Sequence, residues 1–197
     1  GTNGKTSVTY MEKEIAESFG KKVGVIGTIK NTIGDEVLFT SSRTTPESVM
    51  LQATLRKMAD SGVDLVVMEV SSSALDQYRV YGIDFTVAAF TNLTIDHLDY
   101  HKTFENYRDA KKKLFYSCKH AVINKDDASA DEMMRGIPCD CITVGISKEA
   151  DIMATDIEIT SNGERYVIHT PAGTENMKVQ IPGLFTIQNS MIATGIA

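Results

Sequence analysis

Basic residues are the scarcer charge in this 197-residue chain: 20 Lys and Arg stand against 26 Asp and Glu, a net charge of −6. Phosphate backbones are held by clustered Lys and Arg, so nucleic acid is excluded as the main partner. Long apolar runs are missing too. None approaches the roughly 18 residues a membrane helix needs, and no secretory leader is visible, so no membrane partner is expected. Cysteine is sparse: Cys118, Cys139 and Cys141 make an odd count with no C-x-x-C pair. They read as reduced thiols of a cytoplasmic protein, not as a disulfide frame or a zinc site. Internal repeats and low-complexity tracts are also absent, and the length suits one well-buried domain with room for a small appendage.

What is present begins at the first residue. Gly1-Thr2-Asn3-Gly4-Lys5-Thr6 gives the pattern G-x-x-G-K-T, shorter than the full Walker spacing. It reads as a phosphate-binding loop or as a glycine-bearing turn before a helix. In the first reading backbone N–H groups close on phosphate oxygens and the helix adds its positive end. Lys5 then reaches the β/γ-phosphates and the Thr6 hydroxyl coordinates Mg²⁺. Such a loop normally follows a buried strand, so the chain is expected to be an excised piece of a longer protein.

Strands and helices alternate over residues 1–150. Val8, Met11, Ile15 and Phe19 have helical spacing with Gly20 as a stop signal, and Val23–Thr28 is a short apolar strand. Asp35–Thr40 follows a turn at Gly34. Thr45 and Pro46 read as the N-cap and first turn of a helix whose apolar face is Leu51, Leu55 and Met58. Val63–Val70 and Phe85–Thr91 suit strands buried on both faces of a parallel sheet. Thr103–Ser117 and Ala128–Arg135 read as helices, Ala121–Asn124 and Cys141–Val144 as strands. The pattern predicts a P-loop-type, three-layer α/β fold with a mostly parallel sheet. Residues 151–182 then alternate apolar and polar around Asn162-Gly163, predicting a small antiparallel sheet, and residues 183–197 return to helix.

Ligands of open α/β sheets sit beyond the carboxyl ends of the strands. Glu69 ends the run Leu65-Val66-Val67-Met68, where it could ligate Mg²⁺ or cap the next helix. Asn92 and His97 follow Phe85–Thr91, and His97 could equally be a satisfied polar residue of a loop. Lys111 is harder to dismiss. At about 100° per residue it shares a helix stripe with Phe104, Tyr107, Leu114 and Phe115, whereas Lys112 and Lys113 point away. An inward ammonium needs a carboxylate, a snorkelling route or a chemical change.

These stretches resemble the central, ATP-binding domain of the Mur ligases, which build the peptidoglycan stem peptide, and most of all the MurE type that adds the third residue. The resemblance is carried by Gly1–Thr6, Thr44-Thr45-Pro46-Glu47, Met68-Glu69-Val70-Ser71-Ser72, Gln77-Tyr78-Arg79-Val80, Phe90-Thr91-Asn92-Leu93, Asp96-His97-Leu98-Asp99-Tyr100-His101 and Tyr107-Arg108-Asp109-Ala110-Lys111. It implies an ATP- and Mg²⁺-dependent ligase that joins an amino acid to UDP-MurNAc-L-Ala-D-Glu through an acyl phosphate. Gly1, Thr2, Asn3, Gly4, Lys5, Thr6, Ser7, Asn92 and Asn189 would hold ATP. Thr6 and Glu69 would hold one Mg²⁺, His97 and a carbamylated Lys111 a second, and Lys5, Glu69, His97 and Lys111 would act in catalysis. Thr44, Thr45, Ser71, Gln77 and Arg79 would contact the UDP-MurNAc-dipeptide.

Three positions depart from the pattern: Ser73 where many relatives have His, Thr186 where Asn is usual, and Arg43 where some have Asn. In the family the uridine end is held mainly by an N-terminal domain and the incoming amino acid by a C-terminal one. The present stretch alone is therefore expected to lack turnover. A folylpolyglutamate-type or other Mur-type ligase, and a non-catalytic ATP-binding switch, are the competing readings. Thr6 with the Ser71/Arg79 and DHLDYH stretches favours the Mur reading over the first, and Glu69, His97 and Lys111 argue against the last.

Overall fold

Helix α1 (Lys5–Ser18) starts directly after Gly4, whose φ of +83° turns the chain into the helix. The computed structural model describes residues 1–197 and divides them into two units, one of Lys5–Ile83 with His97–Leu114, the other of Gly1–Gly4, Asp84–Asp96 and Phe115–Ile196.

In the first unit α1 packs on strands β1 (Val23–Ile26) and, further along the chain, Leu65–Met68. Its buried face is Val8, Thr9, Glu12, Lys13 and Ala16; of the predicted stripe Val8 alone lies on it, while Met11 and Ile15 are half-buried and Phe19 is 78% exposed. Apolar residues occur on two sides of this helix, and the sheet selects the side on which small Ala16 and the Lys13 stem fit. Phe19 also lies beyond the helix end, where Gly20 N–H donates to Glu17 O (2.9 Å).

Strands β2 (Asn31–Ile33) and β3 (Glu36–Phe39) form a hairpin about the Gly34 turn. Helix α2 (Ser48–Asp60) buries Leu51, Thr54 and Met58, with Leu55 half-buried. Its N-cap is Glu47, which makes no side-chain capping bond. Thr45 is occupied elsewhere: its hydroxyl donates to Glu69 O (2.9 Å) and accepts from Ser71 N–H (3.0 Å).

Strand β4 (Leu65–Met68) runs parallel to β1 and completes a sheet of order β3-β2-β1-β4. Leu65 is 40% exposed and Val66–Met68 are half-buried, so the expected burial on both faces is not met, and the strand is paired on one side only. An apolar run specifies a strand without specifying how many neighbours it has.

Three helices complete this unit: α3 (Ser72–Asp76), α4 (Leu98–His101) and α5 (Phe104–Lys112). Ser71 caps α3 by accepting Ala74 N–H (3.2 Å), and Thr103 caps α5 by accepting Asn106 N–H (3.1 Å). After α5 the chain tightens into a 3₁₀ turn over Lys113–Tyr116, so the predicted helix to Ser117 ends earlier.

In the second unit a six-stranded sheet has the order β10-β9-β8-β7-β6-β5. Its strands are β5 (Phe85–Phe90), β6 (Cys118–Asn124), β7 (Asp140–Gly145), β8 (Ile152–Thr160), β9 (Gly163–Thr170) and β10 (Gly173–Val179). β5 to β8 are parallel neighbours, and β8, β9 and β10 are antiparallel. The late hairpin thus extends the parallel sheet through β7–β8. Helix α6 (Ala130–Met134) is short, whereas α7 (Leu184–Ile196) lays Ile187, Met191, Ile192 and Ala193 across β5 to β8. No helix is long and apolar enough to cross a membrane.

Candidate functional site

The carboxyl end of β4 carries the first group of candidate residues. Glu69 follows Met68 directly, and its N–H continues the ladder to Ile26 O at 2.9 Å. Its carboxylate is 3% exposed yet fully engaged. It accepts the Thr6 hydroxyl (3.1 Å to Oε1, 3.0 Å to Oε2), Thr28 N–H (2.9 Å) and the Thr28 hydroxyl (3.0 Å). A Cβ on Gly27 would come within 2.5 Å of Glu69 Oε1, so that position must be glycine for the carboxylate to lie where it does. Glu69 does not cap α3; Ser71 does. Buried Glu69 and half-buried Thr6, the residue after Lys5, thus form a pair of hard oxygen donors.

From Glu69 the network runs on through the predicted substrate residues. The Thr28 hydroxyl, its proton given to Glu69, accepts from the Thr44 hydroxyl (3.1 Å), and Thr45 bridges Glu69 O and Ser71 N–H. Arg79, 5% exposed, donates to Thr45 O (3.1 Å) and to Gln77 Oε1 (2.9 Å from Nε), and lies 3.5 Å from Glu47. Gln77 Nε2 donates to Tyr100 Oη (3.1 Å), which donates to Asp76 (3.1 Å). Lys113 pairs with that carboxylate at 2.9 Å and, with Tyr100, holds Asp76 below the usual carboxylate range. Thr44, Thr45, Ser71, Gln77 and Arg79 are therefore one connected patch. Ser7 is exposed on the first turn of α1.

His97 and Lys111 meet on a single ring. Tyr107, 0% exposed on α5, has the Lys111 ammonium 4.6 Å from its centroid and the His97 ring 5.9 Å away, edge-on. The ring face is a fourth way to accommodate an inward ammonium, beyond the three that the helix stripe offers, since the π-cloud attracts a cation. Lys111 is 6% exposed, in line with its predicted inward stripe. His97 itself adopts a left-handed conformation (φ 54°) at the start of α4.

His101 lies on the same ring at 5.2 Å and hydrogen-bonds the Ser72 hydroxyl at 2.9 Å in the interior. Burial pushes its imidazole below the ordinary range, and nearby His97, Lys111 and Lys113 push the same way against Asp76. No three His, Cys, Asp or Glu side chains come together as a metal cage. Sequence reasoning missed Thr28 and His101 as supports. A threonine just after β1 gives no periodic signal, and His101 is distinguished from His97 only by burial.

In the second unit Asn92 grips the first residues of the chain. Its carbonyl accepts Thr2 N–H (2.8 Å), its Oδ1 accepts Asn3 N–H (2.9 Å), and its Nδ2 donates to Asn3 O (3.1 Å). The Thr91 hydroxyl donates to Asn3 O (2.6 Å), and Thr2 Oγ1 accepts Thr94 N–H (3.1 Å). Asn189 of α7 lies against Gly4: a Cβ there would collide with its Oδ1.

The chain matches the Mur ligase middle domain over residues 1–197. It is 47% identical to the UDP-N-acetylmuramoyl-L-alanyl-D-glutamate–2,6-diaminopimelate ligase of Bacillus velezensis, with 100% of this chain and 42% of that protein covered. A solved structure of a ligase of the same name superposes with a TM-score of 0.92 at 32% identity, covering 100% of this chain and 41% of that one. The crystal structure of MurF from Acinetobacter baumannii shares the fold, with a TM-score of 0.79 at 21% identity over 100% of this chain and 41% of that one. The chain thus spans under half the length of these relatives. It belongs to the Mur ligase middle-domain family.

Proposed function

We propose that this chain is the ATP-binding part of an ATP-dependent amide ligase that extends UDP-MurNAc-L-Ala-D-Glu by its third stem-peptide residue, in the cytoplasm. The observation that carries the reading is the Thr6–Glu69 pair, at 3.0 and 3.1 Å, set beside the lysine of a glycine-rich loop. Mg²⁺ takes hard oxygen ligands, commonly one or two carboxylates with substrate phosphates and water completing the shell. The donor set fits: Glu69 supplies a carboxylate, Thr6 a hydroxyl, and no dedicated cage is required. When bound, Mg²⁺ supplies charge neutralisation at the transferring phosphoryl group.

The chain's residues do the rest. Thr2 and Asn3, whose N–H groups Asn92 accepts, would fix the loop so that the backbone N–H groups that follow, at Gly4 and the first turn of α1, meet phosphate oxygens, and Asn189 would border the nucleotide. Lys5 would balance negative charge on the moving phosphoryl group. Thr44, Thr45, Ser71, Gln77 and Arg79 would orient the dipeptide so that a carboxylate oxygen attacks the γ-phosphorus as the bond to ADP breaks. The amine of the amino acid then attacks the acyl carbon, the C–O bond breaks, phosphate leaves and the amine loses a proton. His97 and Lys111, gathered on Tyr107, would hold a second Mg²⁺ once Lys111 is carbamylated. Carbamylation exchanges a cation that repels metal for an oxygen-donor anion.

The test is phosphate release by the full-length protein. Release that requires ATP, Mg²⁺, UDP-MurNAc-L-Ala-D-Glu and an amino acid together supports the proposal; 2,6-diaminopimelate, for which the relatives are named, is the first amino acid to assay. ATP hydrolysis indifferent to the other two substrates would overturn it.

A further inference from the structure

The ladder between β5 and β6 ends at the rung Phe90↔Ile123, and beyond it side chains replace backbone. Asn124, 3% exposed, donates from Nδ2 to Thr91 O at 2.7 Å. Asp127 Oδ2 accepts Leu93 N–H at 2.8 Å. Both side chains are themselves fixed: Asn124 Oδ1 accepts Asp126 N–H (3.1 Å) and Asp127 Oδ1 accepts Ser129 N–H (2.8 Å). Asn92 is therefore clamped at the residue before it and the residue after it, and every polar group of its own described above is turned toward Thr2 and Asn3.

We infer that Asn124 and Asp127 are positioning residues of the phosphate loop, acting through Thr91–Leu93 on the N–H groups of Thr2 and Asn3. The inference rests on the nucleotide reading above. Neither residue is required to touch nucleotide: each Asp127 oxygen already accepts a backbone N–H. The carboxylate matters because its two oxygens each accept a different N–H, whereas an amide would put an NH₂ donor at one of those two positions. Losing either clamp frees the loop by small displacements, which suffice to spoil a geometry built from backbone donors.

Asp126 offers a matched control. Its carboxylate accepts Ile146 N–H (2.7 Å), Ser147 N–H (3.0 Å) and Lys148 N–H (2.9 Å), holding the different loop that follows β7. Asp127→Asn, Asn124→Ala and Asp126→Asn would be compared in the full-length protein by two readouts. One is hydrogen exchange of the segment Gly1–Lys5 without nucleotide; the other is the Kd of a fluorescent ATP analogue. Losing a hydrogen bond worth about 1.4 kcal/mol corresponds to tenfold. Asp127→Asn and Asn124→Ala should each speed exchange of this segment and weaken ATP by about that factor. Asp126→Asn should stay within about twofold on both, even where its melting temperature falls as far. Exchange within twofold of wild type in both clamp variants, or equal effects in Asp126→Asn, would overturn the inference. A wild type that fails to bind ATP would overturn the nucleotide reading, while the exchange measurement still decides whether the two residues hold the loop.

Discussion

Replacing Glu12 with glutamine should stabilise the protein above pH 7 and change little near pH 4.5. Glu12 sits on the buried face of α1, 4% exposed, and its Oε1 has no hydrogen-bond partner. Burial raises its carboxyl from 4.5 to about 7. The unfolded chain ionises near 4.5, so between these values the unfolded state releases a proton that the folded state keeps. Stability present below pH 4.5 is thus lost as pH rises through about 7. Two and a half pH units at 1.36 kcal/mol each give a loss of about 3 kcal/mol, complete by pH 8. Glutamine keeps the shape and cannot ionise. Urea unfolding followed by circular dichroism at pH 4.5, 6 and 8 should show the variant gaining about 0.5 kcal/mol or less at the lowest pH and about 3 at the highest. Other titrating groups cancel in the difference between variant and wild type. A gain independent of pH, or a loss at pH 8, would refute the reasoning.

Lys111→Ala should lower ligase activity of the full-length protein by at least about a hundredfold, and excess bicarbonate should not restore it. Lys112→Ala should stay within about twofold, because that side chain is only half-buried and one residue round the helix from the inward stripe. Thr6→Val should raise the Mg²⁺ concentration for half-maximal rate by about tenfold, since it removes one oxygen from the pair with Glu69 and leaves the volume nearly unchanged; an unshifted Mg²⁺ curve would remove Thr6 from the metal site. Tyr107→Ala should cost about 3–5 kcal/mol in chemical denaturation, the usual toll for emptying a fully buried aromatic site.

Much of the fold was legible because it depends on period and punctuation. The α/β alternation, the turn at Gly34 and the late antiparallel strands around residues 161–163 all follow from local pattern. What was not legible depends on partners. Thr45 is a residue type suited to an N-cap, yet its hydroxyl is taken by the Glu69–Ser71 backbone between β4 and α3, a contact between residues 24 and 26 positions apart. Helix α1 offers apolar residues on two sides, and the sheet it packs against decides that Glu12 and Lys13 go in while Phe19 stays out. Lys111 was legible as an inward cation from the helix stripe; Tyr107 as its seat needed coordinates, because an aromatic at i−4 looks like ordinary core. Thr28, Asn124 and Asp127 escaped notice since each acts through another residue.

The most direct measurement of the central claim is oxygen transfer. UDP-MurNAc-L-Ala-D-Glu labelled with ¹⁸O in the reacting carboxylate would be turned over by the full-length protein with ATP, Mg²⁺ and amino acid, and the released phosphate examined by mass spectrometry. An acyl phosphate passes one carboxylate oxygen to phosphorus when the amine displaces phosphate from the acyl carbon. Released phosphate should therefore carry one ¹⁸O. Unlabelled phosphate, with its fourth oxygen drawn from water, would contradict it.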